Sequence, residues 1–447
     1  MSNHNTHSVR LEKEKCIGCI NCIKKCPTEA IRVRNGKAAI INERCIDCGE
    51  CIRVCPSFAK KAISDPLSIT SNFKYNIIMP APTFYGQFKK VTNVNVILAA
   101  LLKIGFDDIY EVALAAQSIS NYTSEVLAGK ELNVNPVISA ACPAVVKLIA
   151  VRFPGLEDNV FSIIAPVELA AIAAREKAVR ETGLSPSEIG VFFVSPCPAK
   201  ITAAKYPIGF ETPVMDGAFS MVDIYRMLLP HLDHPEDLGK LISSSGRGIS
   251  WAYSGGESGS IGQELFIAAD GIGNVVKILD EIENDKLKNV RFVELSACPG
   301  GCVGGCLAVE NPFVARSRIK QLCHEMASDN VTNTVEKSCL TPETLKWQKK
   351  LEYEPILRID EDRAAAIRKM TDIERIFKEL PGIDCGSCGA PSCRALAEDI
   401  VLGYGQEGDC VFKVRERMSS LFREMAQLQE YMPPPFREQK EQINYNF

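Results

Sequence analysis

Residues Ser296–Cys306 read S-A-C-P-G-G-C-V-G-G-C, directly after V-R-F-V-E-L at Val290–Leu295. The apolar six-residue run has strand character. From Cys298 to Cys306, nine residues hold three cysteines and four glycines. Glycine lets a backbone turn tightly and approach a ligand closely, because it has no Cβ. Thiolates are soft donors for iron, copper and zinc. The loop is therefore built to fold around an inorganic centre.

The wider chain bounds what that centre serves. At 447 residues, 46% hydrophobic, about three globular domains are expected. A net charge of −4 gives no support for nucleic acid or an anionic membrane as the main partner. No apolar run is long enough for a membrane span. The first residues, MSNHNTHSVR, lack the apolar core of an export signal. Nineteen cysteines at short, patterned spacings then favour metal binding in a reducing cytoplasm over disulfides.

The N-terminal segment contains a repeat. Cys16, Cys19 and Cys22 lead to Cys26-Pro27, and Cys45, Cys48 and Cys51 lead to Cys55-Pro56. Each half is C-x2-C-x2-C-x3-C-P, in which the fourth cysteine ligates the other cluster of a two-cluster ferredoxin. One 4Fe-4S cluster is assigned to Cys16, Cys19, Cys22 and Cys55, the other to Cys45, Cys48, Cys51 and Cys26. A pair of zinc sites would not need the trailing Cys-Pro.

From Tyr75 onward, apolar runs alternate with helical patterns. Strands are expected at Tyr75–Met79, Asn135–Ala140, Phe161–Ile164, Val191–Val194 and Arg291–Leu295, with a helix such as Val167–Arg180 between them. Such alternation argues for mostly parallel sheets flanked by helices. Three expected strands run into Cys142-Pro143, Cys197-Pro198 and Cys298-Pro299. Sites in such sheets form beyond the carboxyl ends of the strands. Proline favours the first position of a helix, so a preceding cysteine is expected at a positive helix end with a lowered pKa. With Cys302 these supply four thiolates, enough for one more cubane.

Ser328 to about Glu352 reads as a polar linker with a charged helix. His231 and His234 read as a solvated loop, and Cys323 and Cys339 as inert thiols. A helix is expected at Ala364–Leu380. Cys385, Cys388, Cys393 and Cys410 follow, a set that fits one 4Fe-4S cluster, with zinc less firmly excluded than in the N-terminal pair. A charged helix, Val414–Tyr431, reads as a plain amphipathic terminal helix, with docking of a partner as the alternative. The domains expected are 1–72, 73–350 and 351–431, with a tail at 432–447.

Three motifs in order carry a resemblance: S-A-A-C-P-A around Cys142, S-P-C-P-A-K with Cys197 and Lys200, and A-C-P-G-G-C-V-G-G with Cys298 and Cys302. Together they resemble the catalytic domain of the FeFe hydrogenases over Phe73 to about Arg316. The resemblance implies an α/β catalytic domain of two lobes, here with an N-terminal α+β ferredoxin-like domain and a small helical C-terminal iron–sulfur domain. It implies an H-cluster, a 4Fe-4S cubane bridged to a diiron unit carrying CO, cyanide and azadithiolate. Cys142, Cys197 and Cys298 would ligate the cubane, and Cys302 would also bridge to the diiron unit. Lys200 and Thr83 would donate to cyanides, with Ala81 and Pro82 packed beside them. The implied reaction is H2 ⇌ 2H+ + 2e−, with electrons passing through the N-terminal clusters and a second exit at the C-terminal one.

The sequence departs from typical members at Ala141, where a relay cysteine is usual, at Ala203, where a glutamate is usual, and at Ser296, where methionine is usual. The usual proton path is broken at the first two. This resembles the sensory branches of the family and implies slow turnover. A metabolic ferredoxin-linked hydrogenase and a non-catalytic iron–sulfur relative are the alternatives. Cys306 is expected as a substitute relay or a small buried thiol, with Glu257 and Glu294 as its partners. The expected partners are H2, protons and an electron-transfer or signalling protein, and a homodimer is compatible with the sequence.

Overall fold

The computed structural model describes residues 7–431 and 433, apart from 90, 92, 130–133, 233–239, 263, 327–333 and 356–358. His234 lies outside the described residues. The N-terminal unit pairs Val9–Leu11 with Lys60–Ala62 and Ile31–Arg34 with Lys37–Ile40, both antiparallel. Short helices Asn21–Lys25 and Glu50–Arg53 each carry the third cysteine of one repeat. This is the expected ferredoxin-like arrangement.

The central part has two lobes, each built on a parallel sheet. One sheet runs in the order Asp108–Ile109, Tyr75–Pro80, Ile189–Ser195, Gly217–Ser220. The other runs Phe266–Asp270, Phe292–Ser296, Val137–Ile138. Ile77, Ile78 and Met79 are fully buried, as are Val191, Phe192 and Val194. Continuous apolar strands of this kind belong in sheets covered on both faces. Helix Pro166–Thr182 covers the first sheet, close to the expected Val167–Arg180.

Two expectations are corrected. Phe161–Ile164 forms no strand. Phe161 donates its N–H to Ile138 O and Ile164 to Leu345 O, so the segment alternates partners and never builds a ladder. Nor are the described residues beyond 333 a linker. Val335, Cys339 and Leu345 are buried, Trp347 N–H donates to Ser162 O and Gln348 N–H to Gly209 O. The helix there is only Pro342–Leu345. Its few apolar residues do not repeat at helical spacing, so the sequence conceals that the segment is packed.

The C-terminal module contains helices Arg363–Glu379, Cys393–Val401 and Val411–Glu430. It docks on the ferredoxin-like unit. Val33 N–H donates to Gly389 O at 2.8 Å, and a Cβ on Gly389 would lie 2.0 Å from Val33 O. Arg34 Nη1 donates to Cys388 O at 2.8 Å, and Lys24 Nζ donates to Asp384 O. Buried Asp399 accepts from Arg32 Nε at 2.8 Å and Arg34 Nη2 at 2.6 Å.

Removing one partner of a buried ion pair costs about 3–5 kcal/mol, because the other charge stays buried and unpaired. Asp399→Ala is therefore expected to detach the module. Limited proteolysis should cut between the central part and residue 363 at least tenfold faster than in the wild-type chain.

Candidate iron–sulfur and catalytic centre

The repeat in the sequence becomes a repeat in geometry. Ala30 N–H donates to Cys26 Sγ at 3.2 Å and Ala59 N–H to Cys55 Sγ at 3.2 Å. Cys26, Cys45, Cys48 and Cys51 line one cavity with Thr28 and Ile46. The cysteine ahead of Pro27 thus joins the opposite triplet, as the spacing predicts. Cys16, Cys19 and Cys22 lie close enough to act on one another electrostatically. Burial pushes the Cys51 thiol up to about 12. Lys60 is only 2% exposed and its ammonium has no hydrogen-bond partner among the described residues. It acts on both Cys22 and Cys51. A buried cation needs a compensating charge, and anionic clusters on either side would supply it.

In the C-terminal module, Cys385, Cys388, Cys393 and Cys410 line a single cavity. Asp384 shapes its rim, since its carboxylate accepts from Cys393 N–H at 2.6 Å.

The third centre lies where the two parallel sheets present their carboxyl ends. Cys142 precedes helix Pro143–Arg152 and Cys197 precedes helix Pro198–Lys205. Cys298 and Cys302 come from the loop after Phe292–Ser296. The glycines of that loop are needed at close approaches. A Cβ on Gly301 (φ +90°) would lie 2.4 Å from Ser254 N, and one on Gly305 would lie 2.3 Å from Pro196 O. The expected pKa depression at helix starts is overturned. Cys197 is pushed up to about 11, and burial also raises Cys298 and Cys302. The field of a helix end contributes about 1 kcal/mol, which full burial outweighs. Only a bound cation would hold these sulfurs as thiolates.

Lys200 enters the same space, fully buried. Its Nζ lies 3.7 Å from Cys302 Sγ and 3.4 Å from Ala141 O. Burial alone would lower its pKa, but the sulfurs of Cys302, Cys197, Cys142 and Cys298 raise it. Thr83 is 0% exposed and its hydroxyl has no partner among the described residues. Ala81 and Pro82 are buried beside it, and segment Pro82–Gln87 packs on the Cys302–Gly304 turn. A buried ammonium and an orphaned hydroxyl fit small anionic ligands at this centre.

Behind Ala141 lies a carboxylate pair. Ser139 Oγ donates to the Glu257 carboxylate at 2.7–2.8 Å and accepts from Ala141 N–H at 3.2 Å. Glu294 accepts from Gly255 N–H at 2.8 Å and from the Ser258 N–H and hydroxyl at 2.9 Å each. Burial first, and the charge of Glu294 second, raise the Glu257 pKa. Burial also raises Glu294. Ser139 was visible only as the first letter of the S-A-A-C-P-A motif.

Cys306 lies elsewhere than expected. A Cβ on Gly49 would come within 2.6 Å of its Sγ, and its electrostatic neighbours are Cys197, Arg53 and Cys51. It faces the ferredoxin-like unit, whereas Glu257 faces Ser139 and Lys200 and Glu294 faces Gly255 and Ser258. The structure therefore does not bring Cys306 to the carboxylates as a shared proton relay. Three residues that sequence reasoning missed complete this seam. Arg53 Nη2 donates to Gly304 O at 2.9 Å. Thr202 Oγ1 donates to Asp47 at 2.6 Å, and Asp47 also accepts from the N–H groups of Ser8 and Val9 at 3.1 Å.

Comparison with known proteins matches residues 74–256 and 256–306 to the family model described as iron only hydrogenase large subunit, C-terminal domain. Residues 8–56 match a 4Fe-4S dicluster domain and residues 380–412 an Fe-S cluster family. Iron hydrogenase 1 of Clostridium pasteurianum is 24% identical over 67% of this chain and 64% of its own. The NADP-reducing hydrogenase subunit HndD of Solidesulfovibrio fructosivorans is 23% identical over 65% of this chain and 55% of its own. The chain thus spans less than two thirds of either relative. A variant of the FeFe-hydrogenase HydA1 from Chlamydomonas reinhardtii superposes with a TM-score of 0.48 at 16% identity, covering 65% of this chain and 98% of that one. With more than half of its residues matched by the family model, the chain belongs to the family defined by the C-terminal domain of iron-only hydrogenase large subunits.

Proposed function

We propose that this chain is an FeFe hydrogenase of low turnover, interconverting H2 with two protons and two electrons at an H-cluster and serving in H2 or redox sensing. One observation carries the reading: the buried Lys200 ammonium, 3.7 Å from Cys302 Sγ and within the field of all four cysteines. Cys142, Cys197, Cys298 and Cys302 would hold the 4Fe-4S part of the H-cluster, and Cys302 would also serve its diiron part, which carries CO, cyanide and azadithiolate. When bound, that unit supplies the metal and the amine between which H2 is split. Lys200 and the Thr83 hydroxyl would donate hydrogen bonds to its cyanides, and Ala81 and Pro82 would keep that side dry.

Alanine at 141 and 203 removes titratable groups, and alanine cannot carry a proton. Ser139, Glu257 and Glu294 offer the substitute path. Ser139 touches the residue-141 backbone and Glu257 directly, and Glu257 acts on Glu294 electrostatically. The Cys306–Gly49 approach is where the residues that would hold the H-cluster meet the unit of Cys26, Cys45, Cys48 and Cys51, so electrons would cross between the two centres there. The Cys16, Cys19, Cys22 and Cys55 cluster follows. The C-terminal cluster of Cys385, Cys388, Cys393 and Cys410 extends the same line, since its module packs on Val33, Arg34 and Lys24 of the ferredoxin-like unit. A signalling or electron-transfer protein would meet the chain at that far end.

The deciding experiment is infrared spectroscopy after insertion of the diiron cofactor. CO and cyanide bands are expected; their absence would leave a non-catalytic iron–sulfur relative. Thr83→Val should shift one cyanide band and leave the others in place, and unmoved bands would remove Thr83 from the cofactor.

Glu257→Gln is expected to lower H2 turnover with an artificial electron donor by about 10²–10⁴, the usual worth of a positioned proton carrier, with unchanged infrared bands. Unaltered turnover would place the proton path elsewhere.

The raised carboxyl pKa values also set a stability profile. Their contribution is complete below the unfolded-state value of about 4.3 and is lost as pH rises through the folded values. Relative to the wild-type chain, the thermal midpoint of Glu257→Gln should therefore rise as pH rises above about 4.3.

A further inference from the structure

The last described helix, Val411–Glu430, starts directly after Cys410 and packs on little besides the turn Glu407–Asp409. Besides Phe412, Phe422 and Ala426, its apolar residues are Val411, Val414, Met418, Leu421, Met425 and Leu428. The steps between them are three, four, three, four and three. All six are exposed, from 41% at Val414 to 66% at Leu428. Helices that lie on a globular core carry a broader stripe, with a third apolar position per heptad. A two-in-seven stripe is the seam of a coiled coil, and here only the exposed Phe422 widens it. Here Val411, Met418 and Met425 take the a positions and Val414, Leu421 and Leu428 the d positions.

We infer that this helix pairs with the same helix of a second copy of the chain, as an antiparallel two-stranded coiled coil. The charges beside the seam select the partner and the direction. In the antiparallel register Val411 meets Leu428, Val414 meets Met425, and Met418 meets Leu421, each layer occurring twice about the two-fold axis. The g positions then pair with each other, which sets Arg417 against Glu424 of the second copy, twice. The e positions set Arg415 over the ring of Phe422, itself 65% exposed, as a cation–π contact. A parallel pair would keep an Arg417–Phe422 contact but would leave Glu424 facing no cation. A helix of 20 residues is about 30 Å long. The antiparallel arrangement therefore carries the two iron–sulfur modules at opposite ends of the coiled coil, away from each other.

The seam alone would be read by hydrophobic substitution, but the charge pair tests both partner and direction. The full chain, with its clusters assembled, is studied by sedimentation velocity over a micromolar concentration series. The wild-type chain is expected to be a dimer. Met418→Glu combined with Leu421→Glu should give a monomer with an unchanged iron content and unchanged cluster absorbance, which shows that the body has kept its fold. Arg417→Glu alone and Glu424→Arg alone should each weaken the dimer about tenfold or more, since each turns two attractive pairs into repulsive ones. The double variant, Arg417→Glu with Glu424→Arg, should restore wild-type dimerisation. A wild-type monomer throughout the series would overturn the inference, including the case in which the helix serves a different protein. A dimer in which the single charge variants have no effect, or in which the double variant fails to recover, would overturn the antiparallel pairing.

Discussion

Backbone contact at the Cys298–Cys306 loop is the constraint on which the site depends. The loop threads between the turn after strand Ile189–Ser195 and the segment around Ser254. Side chains at residues 301 and 305 would occupy space already taken by Ser254 N and Pro196 O. Only glycine permits that approach. Because the loop is held there, Cys302 comes beside Lys200 on one face and Cys306 beside Gly49 on the other. One loop therefore faces both Lys200 and the ferredoxin-like unit.

Buried charge is the second organising feature. Lys200 and Lys60 are cations removed from water and set among cysteine sulfurs, and Glu257 and Glu294 are acids removed from water and set beside each other. Burial of an uncompensated ion is costly. The two lysines are thus matched to anionic centres, and the two acids are held toward their neutral forms. The cysteines follow the same rule. Sequence reasoning expected ionised thiols at positive helix ends, yet at Cys197 and Cys298 burial dominates, so ligation rather than the helix field has to supply the thiolate.

The ferredoxin-like unit is held to both of the other iron–sulfur parts by named polar contacts. The ferredoxin-like unit holds the catalytic part through Asp47, Thr202 and Arg53, and holds the C-terminal module through Arg32, Arg34 and Asp399. Both contacts use buried or half-buried carboxylates and guanidinium groups with good geometry. Such contacts contribute specificity of docking more than stability.

Sequence alone determined where the candidate thiolate donors cluster, because most ligand spacing is local. The repeated C-x2-C-x2-C-x3-C-P, Cys385, Cys388 and Cys393 of the C-terminal block and the glycine-rich loop each place donors within a few residues of one another. Apolar runs in the same way gave the strands Tyr75–Pro80, Ile189–Ser195 and Phe292–Ser296 nearly to their ends. Tertiary structure alone decided which polar groups meet. Ser139 and Glu257 are 118 residues apart, and Arg32 and Asp399 are 367 apart. Cys306 sits only four residues from Cys302, yet it turns to another domain. The packed course of residues 335–348 and the loss of a strand at Phe161–Ile164 belong to the same class. Each depends on partners brought from distant positions, and no periodicity or spacing within a segment encodes the partner that folding will supply.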